Sequence, residues 1–107
     1  MEDNVKKEII EWLRKQTFID HIQDNDKKMI RMRKYTRTKF LPDLQGNFVD
    51  GRAIYIEIKS PKNKSRIFGQ LEFLEKRRAT GCFSALVDSI DRLKLYLRGD
   101  GYEKFKE

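Results

Sequence analysis

Residues 52–87 constrain the fold of this chain more than any other stretch. Arg52 to Lys59 is rich in β-branched and aromatic residues (Ile54, Tyr55, Ile56, Ile58) and reads as a strand. Ser60-Pro61-Lys62-Asn63-Lys64 is a loop. Ser65 has the chemistry of an N-cap for a helix from about Arg66 to Thr80, with Gly81 just past its end. Phe68, Leu71, Leu74 and Arg78 line one face of that helix, and Cys82 to Val87 follows as a second apolar strand. A strand, a crossover helix and a strand predict two parallel strands in one sheet. In such sheets sites gather at strand ends, and Lys59 stands at the C-terminal end of its strand.

The flanking segments complete one α/β domain over residues 1–107. Residues 3–16 predict an amphipathic helix, with Val5, Ile9 and Leu13 at four-residue spacing and Ile10 and Trp12 widening the stripe. Glu2 and Gln16 fall on that stripe, whereas Glu8 and Glu11 do not. Thr17 to Gln23 reads as a short strand, Asp24-Asn25-Asp26 as a turn, and Lys28 to Tyr35 as a returning strand. Pro42 forces an extended approach to a strand from Asp43 to Val49, and Asp50-Gly51 is a hairpin turn. Ser89 caps a last helix, Ile90 to Arg98, ended by Gly99, and the tail from Asp100 is expected to be frayed or helical. The element order is αβββαβα, a mixed central sheet flanked by helices.

Composition narrows the function classes. The 107 residues, 38% hydrophobic, suffice for one modest core. No apolar run approaches the roughly 18–20 residues of a membrane span. Met1-Glu2-Asp3-Asn4 lacks the apolar segment of a signal peptide, and the single cysteine, Cys82, allows no internal disulfide; both favour the cytoplasm. Lys and Arg number 24 against 17 acids, a net charge of +7, which favours a polyanionic partner, nucleic acid ahead of a membrane surface. Lys27, Lys28, Arg31, Arg33, Lys34, Arg37 and Lys39 form a block without an acid, directly before Pro42-Asp43.

The chemistry concentrates at three residues. Glu57 and Lys59 are two apart in a strand, so they share a face. Asp43 arrives from just upstream. Two acids can hold a hard cation such as Mg²⁺, which activates water and neutralises phosphate charge. The lysine can orient or deprotonate that water. Each residue taken alone also has a plain reading, as a turn aspartate after proline or as a solvated strand end. The basic block reads as phosphate contact (Arg31, Arg33, Lys34, Arg37, Lys39), with Lys62 and Lys64 beside it, and otherwise as a solvated hairpin face. Lys76-Arg77-Arg78 reads as plain surface, His21 as a strand-surface residue, and Cys82 as an inert core residue. Tyr35 and Phe40 read as core or dimer contacts ahead of base-stacking residues.

Pro42-Asp43-Leu44-Gln45-Gly46, Gly51-Arg52-Ala53-Ile54-Tyr55-Ile56-Glu57-Ile58-Lys59-Ser60-Pro61, Gln70-Leu71-Glu72-Phe73-Leu74, Gly81 and Val87-Asp88-Ser89-Ile90-Asp91 together resemble the VRR-NUC branch of the PD-(D/E)xK nuclease superfamily. The resemblance runs from about residue 2 to 97. It implies a restriction-endonuclease-like core and a Mg²⁺- or Mn²⁺-dependent nuclease with no small-molecule cofactor. Asp43 and Glu57 match the metal-binding acids, Ile58 would add its backbone carbonyl, and Lys59 matches the catalytic lysine. Gln70 matches the helix glutamine, and Glu2 best fits the acid of the first helix. Relatives often carry glycine or serine before the Pro-Asp pair, where this chain has Phe40-Leu41. Small standalone members resemble homodimeric Holliday-junction resolvases, which implies four-way or other branched DNA as substrate and a place in repair or recombination in a bacterium or phage-infected cell. The alternatives are a flap or single-strand nuclease of the same fold, and a non-catalytic DNA-binding module.

Overall fold

The computed structural model of the protein describes residues 2–25, 42–59 and 67–107, except the side chains of 2–3 and 67–70. Its elements are α1 (Glu2–Lys15), β1 (Ile19–Asp24), β2 (Leu44–Phe48), β3 (Ala53–Ile58), α2 (Ile67–Ala79), β4 (Phe83–Val87) and α3 (Ile90–Gly99). Among the described residues the strands form one mixed sheet in the order β1-β2-β3-β4. β1 and β2 are antiparallel, as are β2 and β3, while β4 lies parallel to β3 across the α2 crossover. The parallel pair is the one expected from residues 52–87. The strand expected over Lys28–Tyr35 lies outside the described residues, and β1 pairs directly with β2.

Alternation decides which side chain meets which helix. Ile22, Leu44, Phe48, Ile54, Ile56, Ile58, Phe83, Ala85 and Val87 are buried on one face. The amphipathic stripes of α1 (Ile9, Leu13) and α3 (Leu93, Leu97) close that face. Burying each such aliphatic side chain contributes roughly 2 kcal/mol. Residues of opposite parity turn to the other face, where α2 packs on β3 and β4. There Phe73 meets Tyr55 edge-to-face with ring centroids 5.6 Å apart, and Leu74 is buried. Helices therefore flank the sheet on both sides, and α2 covers its β3–β4 half.

The turns follow local chemistry. Gly51 N–H donates to the Phe48 carbonyl, closing the β2–β3 hairpin at the expected turn. Ser89 Oγ accepts from Arg92 N–H at 3.2 Å and caps α3. α2 ends with Gly81 N–H donating to the Arg78 carbonyl and Cys82 N–H to the Arg77 carbonyl, the paired closure that a glycine past the helix end permits. Arg52 joins this end of the sheet together: its Nε donates to the Gly81 carbonyl at 2.6 Å, and its fork holds both Asp100 carboxylate oxygens.

The last helix ends at Gly99 as expected, and Gly101, at φ +103°, makes the left-handed turn just past it, with Tyr102 N–H donating to the Leu97 carbonyl at 2.9 Å. Two local expectations are corrected. The tail is neither frayed nor helical. Tyr102 stacks between Phe18 and Phe48, at 4.6 and 4.5 Å between centroids, and Phe105 meets Trp12 edge-to-face at 5.1 Å. Cys82 is half-buried at the α2–β4 turn rather than in the core, because the sequence must turn there before β4 begins.

Gln16 explains the anchored tail. Its Nε2 donates to the carbonyls of Trp12 (2.9 Å) and Lys106 (2.8 Å), and its Oε1 accepts from Lys106 N–H at 2.8 Å. The side chain is 3% exposed, so removing it leaves polar groups without partners. Gln16→Ala is expected to destabilise the protein by about 2 kcal/mol in urea titration. It should also collapse the exchange protection of the Lys106 amide. Unchanged protection there contradicts the anchoring role.

Candidate active site

The hairpin sets the site by register. In β2–β3, Leu44 faces Ile56 and Gly46 faces Ile54, so the next position outward sets Asp43 opposite Glu57. Phe48 N–H donates to the Arg52 carbonyl, which places the even-numbered β2 residues in hydrogen-bonded pairs. Asp43 and Glu57 therefore hold a non-hydrogen-bonded position, where opposing Cα atoms approach to about 4.5 Å and side chains lie closest. Both project to the α2 side of the sheet, as do Tyr55 and Lys59.

Main-chain groups orient the two carboxylates. Asp43 Oδ2 accepts from Ile58 N–H at 2.7 Å, and Glu57 Oε2 accepts from Asp43 N–H at 3.2 Å. In an extended strand a residue's N–H and C=O point to the same side. The Ile58 carbonyl thus belongs to the Asp43 side of β3, while Lys59 N–H turns the other way and donates to the Val87 carbonyl at 2.7 Å. Glu57 is only 5% exposed, Asp43 is half-buried and Lys59 is exposed. Like charges set directly opposite each other on a sheet cost free energy, and a cation between them offsets that cost.

A buried amide, not anticipated from the sequence, fixes Pro42-Asp43. Asn25 is 1% exposed. Its main-chain N–H donates to the Asp43 carbonyl at 2.9 Å and its Nδ2 to the Pro42 carbonyl at 2.9 Å. The same Nδ2 donates to Gln45 Oε1 at 3.3 Å, and Asn25 Oδ1 accepts from Gln23 Nε2 at 2.7 Å. Asp24-Asn25-Asp26 reads as a turn, yet Asp24 closes β1 and Asn25 continues its ladder to Asp43. The available signal was the period-two polar series His21, Gln23, Asn25 on one strand and Asp43, Gln45, Asn47 on the other.

Of the residues singled out in the sequence, Asp43, Glu57, Ile58 and Lys59 come together at the C-terminal end of β3. Glu2 begins α1 and Gln70 lies in the first turn of α2, but their side chains are outside the described part. Arg31, Arg33, Lys34, Arg37, Lys39, Lys62 and Lys64 also lie outside the described residues, as do Tyr35 and Phe40. His21 is exposed on β1 as expected, and Lys76, Arg77 and Arg78 are exposed on α2. Arg77 and Arg78 still make contacts: Arg77 covers the Tyr55 and Phe73 rings, and Arg78 donates to the Ser84 carbonyl at 2.8 Å. Among the described residues, no three His, Cys, Asp or Glu side chains gather as a metal cage, and no helix is long and apolar enough to cross a membrane.

Comparisons with protein-family models, with curated proteins and with solved structures give no match.

Proposed function

We propose that the protein is a metal-dependent nuclease with a PD-(D/E)xK core of the VRR-NUC type, cutting branched DNA as a homodimeric junction resolvase. The observation that carries this reading is the Asp43–Glu57 pair, set opposite each other at the end of β3, with Lys59 two residues on along the same face. The donor set suits Mg²⁺ or Mn²⁺: two carboxylates and a main-chain carbonyl, all hard oxygen ligands. A divalent ion bound there supplies Lewis acidity toward a phosphodiester and lowers the pKa of a bound water.

The chain's own groups do the rest. Asn25 and the Ile58 N–H hold Asp43 in place before any ligand arrives, so little ordering remains to be done on binding. Lys59 offers an ammonium beside the acids, able to orient the attacking water or to balance charge growing on the phosphate. The chain's net charge of +7 attracts a polyanion and predicts affinity that falls steeply with salt. A single active site cuts one strand, whereas a twofold dimer presents two sites to the two opposed strands of a junction.

The test is a panel of end-labelled DNA, comprising a four-way junction, a linear duplex, a flap and a single strand, each with Mg²⁺ or EDTA. Metal-dependent, paired cuts in opposed junction strands are the expected result. Cuts confined to the flap or single strand would replace the resolvase with a trimming nuclease using the same acids. Binding without cutting, in Mg²⁺ and in Mn²⁺, would leave a non-catalytic DNA-binding module.

A further inference from the structure

The rows of the sheet extend beyond the acids. Asn25, Asp43 and Glu57 form one row across β1, β2 and β3 on the α2 side of the sheet, and Gln23, Gln45 and Tyr55 form the next. Same-face neighbours along a strand are about 6.6 Å apart, roughly the rise of two stacked nucleotides. α2 covers Tyr55 through Phe73 and Arg77. Over β1 and β2, by contrast, His21, Gln23, Gln45, Gly46 and Asn47 line an open cavity of about 170 Å³.

Asn25 fixes the amides in that cavity. Gln23 spends its Nε2 on Asn25 Oδ1, and Gln45 spends its Oε1 on Asn25 Nδ2. Each glutamine thus has one end tied to a buried anchor. Among the described residues, Gln23 Oε1 and Gln45 Nε2 meet no hydrogen-bond partner. One presents an acceptor and the other a donor, from directly opposed positions on neighbouring strands. Glutamine ordinarily loses rotamer freedom on binding, and here the anchor has already removed much of it.

We propose that this cavity is a nucleotide subsite, in which Gln23 Oε1 and Gln45 Nε2 engage the edge of a base flanking the phosphate that a divalent ion at Asp43 and Glu57 would engage. A base edge carrying one donor and one acceptor, as the adenine N6 and N7 do, complements the pair. The inference rests on the nuclease reading of the neighbouring row.

The test is binding of a fluorescent four-way junction by the full chain in Ca²⁺, read by anisotropy, so that no cleavage is required. Gln45→Ala removes the donor but leaves Asn25 bonded to the Pro42 carbonyl, so folding should survive, as an unchanged circular dichroism spectrum and melting midpoint would record. About tenfold weaker binding is expected. Gln45→Glu keeps the oxygen that accepts from Asn25 and turns the outward donor into an anionic acceptor. It should weaken binding further than alanine does. A folded Gln45→Ala protein that binds like the wild type overturns the subsite and leaves the nuclease reading untouched. A wild-type protein that binds no DNA overturns both.

Discussion

Asp43→Ala and Glu57→Ala are each expected to lower metal-dependent DNA cleavage about a thousandfold while leaving junction binding within a few-fold of wild type. Each substitution removes one of the two carboxylates that face each other across β2 and β3. A divalent ion held by only one of them binds more weakly and loses its placement. Loss of roughly 4 kcal/mol of charge stabilisation in the transition state corresponds to that thousandfold. Binding survives because it draws on cationic groups elsewhere on a chain of net charge +7. The two substitutions should not add: once one acid is gone, the second contributes little, because both serve one ion. Single-turnover cleavage of a labelled junction measures this directly. Cleavage at wild-type rate by either variant removes that acid from the mechanism.

Gly46→Ala is expected to be the most destabilising single-methyl change in the sheet. A Cβ built on Gly46 would lie 1.8 Å from the His21 carbonyl oxygen and 3.0 Å from the Ile22 Cα. Both are backbone atoms of β1, just past the irregular register between Ile19 and His21. No rotamer can relieve a contact with backbone, so the strands themselves must separate. The cost should reach at least about 3 kcal/mol, the upper range for overpacking, and β1–β2 pairing should fail first. Because Asn25 reaches Asp43 through that pairing, metal affinity should fall together with stability. Denaturant titration and amide exchange across β1 measure the effect. A variant that melts within a degree of wild type contradicts the close approach.

Much of the architecture was legible, for physical reasons that also explain the gaps. The crossover from Ile58 through α2 to β4 could be read because apolar strands, a loop and a capped helix each leave a local signature. The Asp50-Gly51 turn already implies the pairing of Asp43 with Glu57, since a hairpin centred on Asp50 brings residues seven positions to either side face to face. Ser89 and Gly81 announced their helix termini through side-chain and backbone preferences that act within a few residues. The misread features depend on distant partners. Asn25 looks like a turn residue until Pro42, Asp43 and Gln45 are placed around it. The tail reads as frayed or helical because its anchor, Gln16, lies some ninety residues earlier.

The proposed nuclease stands or falls on whether Asp43 and Glu57 bind a divalent cation. The most direct test is a crystal of the wild-type protein grown with Mn²⁺, examined for anomalous scattering. A peak is expected within about 2.0–2.6 Å of one oxygen each from Asp43, Glu57 and the Ile58 carbonyl. Absence of Mn²⁺ at those oxygens at millimolar concentration, with both carboxylates still bound to main-chain N–H groups, would contradict it.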